Sequence, residues 1–70
     1  MSFSREQLGS MISTLETTAW TRASAQPQDP YLEENTEAEA LAILQAASPE
    51  DRSYVRERMQ RLLLGLHTRQ

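Results

Sequence analysis

His67 is the single imidazole in the chain, and no cysteine accompanies it. Residue type alone therefore removes thiol nucleophiles, disulfides and thiolate metal sites. Acid–base work near neutral pH would fall to His67, which stands close to the C-terminal end. A lone histidine there reads as a solvated side chain near the negative end of a helix dipole. Glycine occurs only at positions 9 and 65, so no Gly-rich loop can cradle a phosphate. The acids Asp29, Glu33, Glu34, Glu37 and Glu39 lack both the spacing and the glycine of a calcium loop. They read as solvated charge. No catalytic, cofactor-binding or metal-ligating residue is expected, no cofactor is implied, and the residues argue against an enzyme.

The remaining chemistry is that of contact. At about 100° per residue, Tyr54, Arg58 and Arg61 share one helix face, away from the stripe formed by Val55, Met59, Leu62 and Leu66. Leu64 lies off that stripe as well. A tyrosine and arginine face bordered by a stray leucine resembles the core of a protein interface. Trp20 lies about 120° from Leu8, off its own helix's apolar face, and tryptophan is enriched at binding hot spots. Tyr54, Arg58, Arg61, Leu64 and Trp20 are thus the candidate partner-binding residues. The run Leu62-Leu63-Leu64 wraps about 200° of a helix, more than one core face absorbs. That excess predicts a homodimer whose seam includes Leu62, Leu63 and Leu66.

Three helices must position these groups. Ser4 followed by Gln7 is a capping box, and Leu8, Met11, Ile12, Leu15 and Ala19 recur at spacings of three and four. They predict a helix over about 5–23. The prolines at 27 and 30 predict a linker over 24–29, short enough for two helices to fold back on each other. Asp29-Pro30 can cap and start a second helix over 30–47; the alternative is a break near Asn35, with Thr36 and Glu39 forming a capping box. Alanine is frequent between Ala38 and Ala47, where small side chains let a neighbouring helix approach. Ser48-Pro49-Glu50-Asp51 ends that helix and starts a third over 49–66, with Ser48 as cap and Pro49 as first helical residue. No segment alternates with period two, so the expected fold class is all-α: a small three-helix protein, or a helical hairpin with an extra helix, completed by dimerisation.

Size and charge set the functional expectation. The chain has 70 residues and a formal charge of −3, a single domain near the lower limit for independent folding. With neither disulfide nor cysteine-bound zinc, association is the remaining route to added stability. Residues 1–47 carry two arginines against seven acids, whereas residues 48–70 carry five arginines against three acids. This asymmetry predicts antiparallel docking of the last helix on the acidic middle. A net-acidic chain argues against nucleic acid as partner, and a DNA-binding regulator acting through the arginine face ranks last. No apolar run approaches the roughly 20 residues of a membrane span, and no secretory signal opens the chain, so a cytoplasmic protein is expected. Together these features predict a regulator or inhibitor that occludes a surface on a larger bacterial protein. The alternative is a secretion-type chaperone or assembly factor holding a client helix.

Overall fold

A computed structural model describes residues 3–68. Among them the chain forms three α-helices and no strand: α1 (Arg5–Ala25), α2 (Leu32–Ala46) and α3 (Arg52–Thr68). The capping box at the start of α1 is complete. The Gln7 N–H donates to Ser4 Oγ at 3.1 Å, and the Ser4 N–H donates to Gln7 Oε1 at 2.9 Å. The helix continues to Ala25, two residues past the expected end. Gln26 precedes Pro27 and leaves the helical region (φ −138°, ψ 71°), as the clash of a proline ring with the preceding residue requires.

α2 starts at Leu32 instead of Pro30. Asp29 does not cap it: the cap position is Tyr31, which makes no side-chain cap bond, and the Asp29 carboxylate accepts the Tyr31 N–H at 2.9 Å in a turn ahead of the helix. The alternative break at Asn35 is absent: the Asn35 N–H donates to the Tyr31 carbonyl at 2.8 Å and the helix runs on. Thr36 caps nothing; it is buried in the core. The restart after α2 does occur, but as a turn ahead of the helix. The Asp51 N–H donates to the Ser48 carbonyl at 2.9 Å, and Ser48 Oγ donates to Asp51 Oδ2 at 3.2 Å. Pro49 sits inside this turn, so the helix begins at Arg52, three residues later than the cap-and-proline pattern suggested, and runs to Thr68.

The three helices form an up–down–up bundle. Contacts between α1 and α3 climb in step, from Arg5–Asp51 through Gly9–Tyr54 and Glu16–Arg58 to Trp20–Gly65, so these two run parallel. Glu33 at the start of α2 meets His67 at the end of α3, so α2 is antiparallel to α3. The described chain measures 37 × 16 × 15 Å, and α1 alone accounts for about 32 Å of the long axis at 1.5 Å per residue. Leu8, Ile12, Leu32, Val55 and Leu66 fill the centre, while Ala19, Ala23, Ala40 and Ala47 keep the helices close.

Two expectations are corrected here. Leu62 and Leu66 keep only 4% and 0% of their surface exposed within a single chain, so they are core residues and offer nothing to a dimer seam. Leu63 is half-buried and alone of the three retains outward surface. The antiparallel placement of α3 on α2 is as the charge asymmetry predicted, but the arginines do not dock there. Arg58 pairs with Glu16 of α1 and Arg61 with Glu57 of its own helix.

Candidate functional site

Four of the five candidate contact residues lie on the α1–α3 side of the bundle and Leu64 points away from the core; they divide into an inner and an outer set. Tyr54 and Arg58 are the inner set. Tyr54 packs against the core, and its hydroxyl reaches α1 at Gly9, where an added Cβ would come within 3.1 Å of it. Gly9 leaves room for that close approach. Arg58 donates through Nη1 to the Tyr54 hydroxyl at 3.0 Å and through Nη2 to Glu16 Oε1 at 2.8 Å. The two charged side chains of this pair are 27% and 31% exposed. Arg5 adds a second cation, its guanidinium carbon 5.0 Å from the centre of the Tyr54 ring. Arg5 also donates to Asp51 at 2.9 Å, tying the start of α1 to the turn that launches α3.

The electrostatics of the inner set are those of a clamp. The hydrogen bond that Arg58 donates to Glu16 raises Arg58 above the ordinary arginine value, against a smaller opposing effect of burial. The charge of Glu16 and the Tyr54 oxygen act in the same direction. No buried side-chain nitrogen or oxygen among the described residues lacks a hydrogen-bond partner. Tyr54 and Arg58 therefore hold α3 to α1; their polar ends are already used within the chain.

Trp20, Arg61 and Leu64 are the outer set. Trp20 lies over Gly65, where an added Cβ would stand 3.1 Å from its Cζ2 atom and 3.5 Å from Cη2. The absence of a side chain at position 65 lets the indole settle against α3, yet 42% of its surface still faces outward. Arg61 is four residues before Gly65, on the same ridge of α3, and is largely exposed despite its 3.2 Å ion pair with Glu57. Leu64, three residues on from Arg61, points directly away from the core and is 64% exposed. Beside Trp20 an open depression of about 730 Å³ runs along α1, lined by Glu16, Thr17, Thr21, Ser24 and Ala25. Of the outer set, Trp20 borders this concavity, while Arg61 and Leu64 stand on α3 outside its lining.

A second groove of about 470 Å³ separates α1 from α2, with Met11, Leu15, Ala42 and Ile43 on its floor and Ser10, Thr14, Thr18 and Glu39 at its rim. Among the described residues no three His, Cys, Asp or Glu side chains gather closely enough to hold a metal ion. No described helix is long and apolar enough to cross a membrane. His67 stands at the far end of α3, its Nδ1 3.6 Å from Glu33 Oε2, remote from Tyr54 and Arg58. Sequence reasoning missed Glu16, whose position one residue after Leu15 places an acid on the border of the α1 stripe, and it missed Gly9 and Gly65 as contact points for the two aromatics. Comparison with protein-family models, with curated proteins and with solved structures finds no match for this chain.

Proposed function

We propose that the chain is a small protein-binding module, a regulator or inhibitor that occludes a surface on a larger protein through the outer set on α1 and α3. The observation that carries this reading is the combination of Trp20 and Leu64, both substantially exposed, with Arg61 between them. A tryptophan braced on Gly65 loses little freedom on binding, so its exposed surface converts efficiently into affinity. Arg61 supplies a guanidinium that can trade its exposed partner Glu57 for a carboxylate of the target. The exposed ion pair it would give up is worth at most about 1 kcal/mol.

The test is comparative capture. Parent protein, Leu64→Glu and Trp20→Ala are immobilised in parallel and challenged with native lysate. Proteins retained by the parent and lost from both variants are the targets. Equal retention by all three would sink this reading. The chaperone alternative rests on the α1–α2 groove, whose floor could take one apolar side chain of a client helix. Under it, Ala42→Arg loses the client and Leu64→Glu does not.

A further inference from the structure

On the side of the bundle away from Trp20, α2 and α3 expose two parallel ridges. The 3.6 Å approach of His67 Nδ1 to Glu33 Oε2 marks their register. From Glu33 the α2 ridge continues through Glu37, Leu41 and Leu44; from His67 the α3 ridge returns through Leu63, Arg56 and Arg52. Leu41 is 42% exposed, and Leu44 and Leu63 are each half-buried. This gives a short leucine strip. At one end stand Glu34 and Glu37, at the other Arg52 and Arg56, all four exposed. Among the described residues none of the four takes part in an ion pair.

We propose that this α2–α3 face binds a second copy of the chain about a two-fold axis that lies in the face and crosses both helices. Such an axis exchanges the two ends of the strip. It brings the leucines of the two copies together and sets Glu34 and Glu37 of each copy towards Arg52 and Arg56 of the other. An isologous interface requires a surface complementary to itself, and opposite charges at opposite ends of an apolar strip meet that requirement. A basic or an acidic target would find only one end of the face favourable. The seam is not the one that Leu62 and Leu66 suggested, because those residues lie inside the bundle. The apolar centre is small against the roughly 800 Å² per partner of a standard interface, so charge carries a large share and the association is weak and sensitive to salt.

The experiment is a charge-exchange set followed by sedimentation equilibrium at about 0.02 M and about 0.5 M salt. The parent dimerises at low salt and at least about tenfold more weakly at high salt. Glu37→Arg alone and Arg56→Glu alone each place two like-charge contacts in a homodimer and are monomeric. Mixed in equal amounts they form a heterodimer, because one of its two contacts is the native Glu37–Arg56 pair and the other is the same pair with its signs reversed. Leu41→Gln weakens the parent dimer. Helicity is checked for every variant, and Glu37→Gln with Arg56→Gln serves as a milder pair. A monomeric parent at hundreds of micromolar overturns the proposal. So does a dimer indifferent to these substitutions, or a mixture that remains monomeric.

Discussion

Breaking the Glu16–Arg58 clamp should loosen α3 from α1 by an amount that the geometry allows to be estimated. The 2.8 Å contact joins two side chains that are 31% and 27% exposed, so it sits between a surface ion pair and a buried one. Exposed pairs contribute about 0.2–1 kcal/mol, and hydrogen bonds to charged groups about 1.5–3 kcal/mol. Partial solvent access places the coupling near 1 kcal/mol. At about 2.1 cal/mol/K per residue, a chain of 70 residues has an unfolding entropy of about 150 cal/mol/K, so that coupling corresponds to about 7 °C in Tm. The assay is a double-mutant cycle of Glu16→Ala, Arg58→Ala and the double variant, followed by urea and thermal unfolding at low salt. Arg58→Ala alone should cost more than Glu16→Ala, because it also removes the 3.0 Å bond to the Tyr54 hydroxyl. If the two single changes add within about 0.3 kcal/mol, the clamp does not couple the helices and the inner set has been misread.

Other expectations follow from the same contacts. Because Arg58 is raised above its ordinary value, its contribution is complete below the unfolded arginine value and is lost only as pH rises through the folded one; the stability difference between the parent and Arg58→Gln should therefore be constant from about pH 6 to pH 9, checked by urea midpoints. Leu66→Ala, at a fully buried site, should cost about 2–5 kcal/mol, whereas Leu64→Glu two residues away should change stability by no more than about 0.5 kcal/mol, both read by chemical unfolding. Ser4→Ala should remove about 1 kcal/mol through loss of the capping box, with amide exchange rising first at the start of α1.

The all-α class and the three helices were legible because Leu8, Ile12, Leu15 and Ala19, like Val55, Met59, Leu62 and Leu66, repeat at helical spacing, and each phase is filled by core residues in the structure. The Ser4 cap was legible for the same reason: its signature is local. Starts that depended on competition between local bonds were not. Asp29 makes the bond to the Tyr31 N–H that a cap would make, yet the backbone enters the helix only at Leu32. The excess of leucines at 62–64 was real, but two of the three positions an interface would have used are consumed by the core. Helical spacing predicts that the face holding Tyr54 and Arg58 is separate from the apolar stripe, but it is turned to α1 and Tyr54 packs against the core. A helix wheel shows which residues share a side and not which neighbour lies there. Only the parallel placement of α1 and α3 brings Glu16 to Arg58 and Trp20 to Gly65.

The central claim, that the chain binds a protein through Trp20, Arg61 and Leu64, is tested most directly by site-specific photocrosslinking. A benzophenone side chain is placed at position 64, at position 61 and, as a control on the outward face of α1, at position 13. Irradiation in native lysate should yield one covalent adduct of common mass from positions 64 and 61, absent from position 13 and suppressed by excess unlabelled parent but not by Trp20→Ala. An adduct from position 13 as strong as from position 64, or one equally suppressed by Trp20→Ala, would contradict the account.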